Sequence, residues 1–412
     1  MKKTALLFPG QGQQYVGMGR VLYEQSDKFK KIFDEANDIL EFNLSKLMFE
    51  GPIQELERTA YLQPAVFTVG YAMYQYLEDQ ICGNDNFYAG YSLGEYTALC
   101  CSGAISFQEG LILVHRRGNI MEQARGNREI AMASIIGAEE DWVEELCHLS
   151  AADGLVCISG FNAERQVTVS GDKKAVDKVV RRAEEAGSRV VYLKVSGAFH
   201  SPLMEEAREA LEREIDKCTW RRSSGQVISN LTGRPYQGIE EMKETLSLHL
   251  VSPVRWKETM SYLAKQDIDC LIDVGPSRLF EKLYGSEVGG RRILSLDREN
   301  GKGEIIKTLA PAEDRLKMIS RALAIAVCLK NNNDDENAYE EGVIRPYREV
   351  QALFEHLKSR EQDVEIEHMQ LAMNMLQSVI KTKKVPAGEG VRRIREILCE
   401  TNTQAYFTKL AQ

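Results

Sequence analysis

The sequence predicts an α/β fold that is interrupted by a small inserted subdomain and followed by an all-helical extension. Three observations carry this. Strand-like apolar runs alternate with helical patterns up to about Asn300. Between residues 130 and 195 the order becomes β-α-β-β-α-β, the ferredoxin-like pattern. Beyond Asn300 only helical stripes remain. The expected boundaries are 1–127 and 196–300 for the main domain, 128–195 for the insert and 301–412 for the extension.

Thr4 to Phe8 reads as the first strand. Pro9-Gly10-Gln11-Gly12-Gln13-Gln14 follows as a loop of glycines and amides. Its backbone N–H groups can face a substrate, which makes it a candidate part of an oxyanion hole. It is not a phosphate loop, because the Lys-Ser/Thr ending is absent. Helical patterns run through Leu47 and again from Ala65 to Leu77.

Asn86 to Ala89 reads as a short buried strand and Glu95 to Leu99 as the start of a helix. Between them lies Gly90-Tyr91-Ser92-Leu93-Gly94, a G-x-S-x-G pattern. The two glycines let backbones pass close to a sharp turn. The turn lifts Ser92 to a helix N-terminus, where free N–H groups favour developing negative charge. This is the layout of a nucleophile elbow.

Ser106 and Glu109 form a capping box for a helix that runs to about Ala124. Leu111, Val114, Gly118, Met121 and Ala124 share one arc of it. Arg117 falls inside that arc, whereas Arg116 points away. An arginine on a buried face is costly unless an anion meets it.

In the insert, strands are expected at Ile130 to Ile136, Leu155 to Gly160, Gln166 to Ser170 and Arg189 to Val195. Helices are expected at Glu139 to Leu149 and Ala175 to Ala186. Val195 to Pro202 closes the insert and carries His200 on a loop at an element boundary, where catalytic groups tend to lie. His115, His148, His356 and His368 lie in helical patterns without chemical neighbours. Strands resume at Gln226 to Ser229, Cys270 to Val274 and Arg292 to Leu296.

The extension shows four stripes. Leu316, Ile319, Leu323 and Val327 form the first; after the polar breaker Asn331 to Gly342, Val350, Leu353 and Leu357 form the second. Ile366, Met369, Met373, Leu376 and Ile380 form the third, which reads as core, and Val391, Ile394 and Leu398 the fourth.

The bulk numbers exclude several classes. Of 412 residues, 43% are hydrophobic and 27% charged, as in ordinary soluble proteins. A net charge of −9 argues against nucleic acid. Nine cysteines without a C-x-x-C pair read as reduced thiols of a cytoplasmic protein. The apolar run Ala5 to Phe8 is too short for a signal peptide, and Ala322 to Leu329 is too short to span a membrane.

Several motifs in this order resemble the malonyl-CoA:acyl carrier protein transacylases, the acyltransferases of fatty acid and polyketide synthesis. The resemblance covers about residues 1 to 300. It rests on Phe8-Pro9-Gly10-Gln11-Gly12, Leu62-Gln63-Pro64-Ala65 and Gly90-Tyr91-Ser92-Leu93-Gly94-Glu95. Arg117-Gly118, Gly197-Ala198-Phe199-His200-Ser201 and Asp273-Val274-Gly275-Pro276 complete it.

The resemblance implies an α/β-hydrolase-like domain with a ferredoxin-like insert. It implies Ser92 as nucleophile, His200 as its base and the N–H groups of Gln11 and Leu93 as the oxyanion hole. Arg117 would clamp the malonyl carboxylate, with Gln63, Asn162 and Phe199 also at the substrate. Phe199 resembles the malonyl-type signature, whose flat ring leaves little room for an α-methyl branch. The carbonyl of His249 would orient His200; the family usually has glutamine there. The family also has histidine where this chain has Tyr91, so any hydrogen bond made by that histidine must be replaced or lost.

The implied partners are malonyl-CoA and a phosphopantetheinylated acyl carrier protein, with no cofactor, metal, nucleic acid or membrane. The helical extension is absent from the minimal family enzyme. It is similar in layout to stand-alone acyltransferases that serve polyketide assembly lines in trans. Two alternatives stay open: an acyl hydrolase acting on carrier proteins, and an inactive carrier-protein docking scaffold.

Overall fold

Strand and helix placement follows the expected order closely, and the computed structural model describes residues 3–78, 86–124, 126–309, 314–359 and 363–407. Two compact units are present, Met1–Leu309 and Ala310–Gln412. The boundary expected at 301 falls later, because the helix Gly301–Leu309 belongs to the first unit and buries Ile305 in its core.

Among the described residues the first unit has eleven strands: β1 (Thr4–Phe8), β2 (Phe87–Gly90), β3 (Ile130–Ile136), β4 (Val156–Ala163), β5 (Gln166–Asp172), β6 (Arg189–Tyr192), β7 (Gln226–Ile228), β8 (Val254–Arg255), β9 (Cys270–Asp273), β10 (Glu287–Val288) and β11 (Arg291–Ser295). One sheet has the order β10-β11-β9-β1-β2-β7. All of its pairs are parallel except β10 with β11. Every residue of β1 is buried, as expected for a parallel strand covered on both faces. Phe8 pairs with Gly90, so the loops after β1 and β2 leave the sheet side by side. Sites in open α/β sheets form at this carboxyl edge.

The second sheet has the order β6-β3-β5-β4-β8. Its first four strands pair antiparallel, and β8 joins parallel to β4 from beyond the insert. The helices Glu140–Ser150 and Lys173–Glu185 bury Val143, Val176 and Val179 against Ile135, Val167 and Val169. Two strands were not foreseen, β8 and β10. Each is two residues long, too short for alternation to register. β6 stops at Tyr192, three residues before the expected end.

The second unit is all helical. Arg315–Cys328, Ile366–Thr382 and Ala387–Thr401 pack Met318, Ile319 and Ala322 with Met369, Met373, Leu376 and Ile397. Arg345–Ser359 adds Val350 and Leu357. The methionines of the third stripe are core, as expected, but three stripe residues are not: Ile366 and Val391 are each 47% exposed and Val327 64%. The end of the helix Arg315–Cys328 is capped by Lys383, whose buried Nζ donates to Ala326 O and Leu329 O at 2.9 Å each. The expected breaker 331–342 contains the short helix Glu336–Tyr339, started by the Asp335 side chain.

Candidate active site

Ser92 stands between β2 and the helix Leu93–Cys101 with φ +50° and ψ −104°. Such a backbone costs a non-glycine residue about 1–3 kcal/mol and persists only where its surroundings enforce it. They do so here. A Cβ on Gly90 would run into the carbonyl of Gly94, and a Cβ on Gly94 into the carbonyl of Phe8. Asn230, just beyond β7, clamps the turn. Its Oδ1 accepts the Ser92 N–H at 2.7 Å and its Nδ2 donates to Gly90 O at 2.6 Å.

His200 also has a positive φ, +56°. Its Nδ1 lies 2.8 Å from His249 O and 3.2 Å from Ser252 O. Two acceptors there require Nδ1 to carry the proton. The Nε2 lone pair therefore faces Ser92 Oγ, 2.8 Å away. Burial, reinforced by the Arg117 charge, pulls the His200 pKa down to about 4. The ring is a neutral proton acceptor at physiological pH.

Arg117 lies on the helix Phe107–Gln123, which starts with the expected Ser106 cap. It is 1% exposed. Nη2 donates to Ser92 Oγ at 3.1 Å and Nη1 to Gln63 Oε1 at 2.8 Å. Its guanidinium sits 5.2 Å from the Tyr96 ring centroid, a cation–π contact. Among the described residues no carboxylate lies within ion-pair distance, and Nε has no hydrogen-bond partner. This is a buried cation beside a serine, held by neutral groups.

Above Ser92 is a cavity of about 390 Å³. Gln11, Tyr91, Met121, Phe199 and His200 are in its wall. The backbone N–H groups of Gln11 and Leu93 serve no hydrogen bond among the described residues, whereas those of Ser92 and Gly12 are taken. Gln63 and Asn162 do not line the cavity. Gln63 supports Arg117 from behind. Asn162 is committed to protein partners: its Oδ1 accepts the Tyr91 hydroxyl at 2.6 Å and its Nδ2 donates to Thr168 at 2.8 Å. Tyr91, in place of the family histidine, thus makes its own bond and ties the elbow to the second sheet. Among the described residues no three His, Cys, Asp or Glu side chains group as metal ligands would.

The model of the acyl transferase domain matches residues 5–284. The chain belongs to the acyl transferase domain family. Among curated relatives, this acyl transferase is 31% identical over 407 residues to a malonyl CoA-acyl carrier protein transacylase of Bacillus subtilis, covering 96% of this chain and 100% of that one. It is 38% identical over 285 residues to another of that name from Bacillus subtilis strain 168, covering 69% and 90%. Among solved structures it is similar to FabD of Acinetobacter baumannii, with a TM-score of 0.71 and 30% identity over 75% of this chain and 98% of that one. A type II PKS malonyl-transacylase, solved in complex with its acyl-carrier protein, matches with a TM-score of 0.70 and 30% identity. It covers 74% of this chain and 99% of that one. The helical extension lies beyond the family match but within the reach of the first relative.

Four residues of the site escaped the sequence reading: Asn230, Ser252, Glu95 and Tyr236. Asn230, Ser252 and Tyr236 lie in irregular segments with no periodicity to mark them. Glu95 left a usable signal, as the one charged residue in the stretch 93–101.

Proposed function

We propose that this acyl transferase moves a malonyl group from malonyl-CoA, through an ester on Ser92, to the phosphopantetheine thiol of an acyl carrier protein. The buried, carboxylate-free guanidinium of Arg117, 3.1 Å from Ser92 Oγ, carries this reading. A planar carboxylate suits its fork of donors. Ser92 Oγ attacks the thioester carbon while His200 Nε2 takes its proton. The N–H groups of Gln11 and Leu93 receive the oxyanion. The carbon–sulfur bond breaks, and His200 returns the proton to the departing coenzyme A thiolate. The carrier thiol then repeats the sequence in reverse.

Malonyl transacylase names among the relatives, and the carrier-protein complex among the neighbours, support the same substrates. A hydrolase of neutral acyl chains would have no use for Arg117, and a scaffold no use for the Ser92–His200 contact. Intact mass spectrometry after mixing with malonyl-CoA tests the proposal. A stable malonyl adduct is expected; free malonate without an adduct, or no reaction, would refute it.

The order β6-β3-β5-β4, all antiparallel, supports calling the insert ferredoxin-like, and the elbow supports an α/β-hydrolase-like main domain. We take 1–127 with 196–309 as the main domain, 128–195 as the insert and 310–412 as the extension, and read the location as cytoplasmic. No helix of the described residues is long and apolar enough to cross a membrane.

Two expected results follow. His200 must be neutral to accept a proton, and its pKa lies at about 4. The kcat/KM for loading Ser92 should stay level as pH falls past the usual histidine range, then drop through about 4. A pH series of malonylation rates checks this; an acid limb near 6.5 would contradict the buried ring. Second, a chain ended after Leu309 should still load itself from malonyl-CoA, because the two units have separate cores. The readout is the adduct mass, and a folded but inert truncation would show that the extension completes the site.

A further inference from the structure

Glu95 lies three residues after Ser92 on the helix Leu93–Cys101 and is 1% exposed. Its Oε1 accepts from the Tyr236 hydroxyl and from the backbone N–H of Asn230, the latter at 3.2 Å. Its Oε2 is 3.5 Å from Nε2 of His249, and neither ring nitrogen of His249 has a hydrogen-bond partner. A buried carboxyl is a costly way to fill a core. Both arms of this one end on reacting groups.

On one arm, Asn230 holds the Ser92 N–H and the Gly90 carbonyl, the two backbone groups that the strained turn leaves over. On the other, the carbonyl of His249 holds Nδ1 of His200, and the two rings lie 5.2 Å apart. The His249 ring is also stacked on Tyr96, centroids 5.9 Å apart. We propose that Glu95 is a positioning residue for both members of the reacting pair, acting through Asn230 on Ser92 and through His249 on His200. This rests on the reading of Ser92 as nucleophile and His200 as base.

Burial pushes the Glu95 carboxyl up to about 8, so near neutral pH it is mostly an uncharged acid. An uncharged acid accepts at its carbonyl oxygen and donates its O–H to an imidazole lone pair. Oε1 has two donors on it, and Oε2 faces the unpartnered Nε2 of His249 at 3.5 Å, close enough for a small shift to make the second bond. A glutamine amide offers the same two functions.

The test is single-turnover malonylation of Ser92, followed by rapid quench and intact mass at varied malonyl-CoA. Glu95→Ala should slow acyl-enzyme formation roughly tenfold to a hundredfold, the scale of a small misplacement of reacting groups. The half-saturating malonyl-CoA concentration should not move, because Arg117 and Gln63 are untouched. Glu95→Gln should recover most of the rate, and Asn230→Ala should reproduce the loss. A folded Glu95→Ala protein with the parent rate would overturn the proposal. So would a Gln variant as slow as the Ala variant, or a loss confined to half-saturation. If Glu95→Ala does not fold, a parent rate in Asn230→Ala overturns it instead. Ser92→Ala runs alongside: an adduct on that protein would refute the nucleophile, not the positioning role, so the two failures are told apart.

Discussion

Ser92→Ala is expected to carry no malonyl adduct after incubation with malonyl-CoA, and to transfer nothing to a carrier protein. The only atom lost is Oγ, which the structure places between His200 Nε2 at 2.8 Å and Arg117 Nη2 at 3.1 Å. The elbow should survive, because its clamps act on backbone: Asn230 holds Ser92 N–H and Gly90 O. Removing the nucleophile of a serine enzyme costs at least about four powers of ten in rate. Intact mass reports the adduct, and circular dichroism reports the fold. A malonylated Ser92→Ala protein would move the nucleophile elsewhere.

Arg117→Ala is expected to lower malonyl loading by roughly two to three powers of ten, since breaking a buried ion pair costs about 3–5 kcal/mol and each 1.4 kcal/mol is about tenfold. Acetyl-CoA carries no carboxylate and should suffer far less, gaining space where the guanidinium stood. The ratio of malonyl to acetyl loading, parent against variant, is the measurement. Gln63 and Tyr96 remain to keep the pocket walls, so the ratio reads the charge. An unchanged ratio would make Arg117 structural and revive the hydrolase alternative.

The parts of the site visible in the sequence are those that local physics marks. Ser92 is flanked by two glycines that no other residue could replace, and Arg117 breaks an apolar arc. Both signals lie within a turn or two of the residue itself. Asn230 reaches Ser92 across 138 positions, and Tyr236 reaches Glu95 across 141. Their roles exist only once the parallel sheet has brought the end of β7 beside β2. Gln63 and Asn162 were recognised by position, yet their amides turn towards Arg117 and Tyr91. The motif locates a residue; its hydrogen-bond partners decide what it touches. The fold divides the same way. Strands of four or more residues announced themselves, and the two-residue β8 and β10 did not.

Two carbonyl oxygens hold His200, and among the described residues no carboxylate bonds to its ring. Burial and the Arg117 charge outweigh those two carbonyls and leave it a weak base. Such a group discriminates by the acidity of whatever approaches. Ser92 is held against it, its Oγ 2.8 Å from Nε2. A thiol surrenders its proton at about 8.5 unaided, whereas water holds its own far more tightly. Water reaching the ester has no such help, and the incoming thiol needs none. On the proposed mechanism the loaded protein should leak slowly and wait for a carrier; the decay of the adduct mass in buffer measures it.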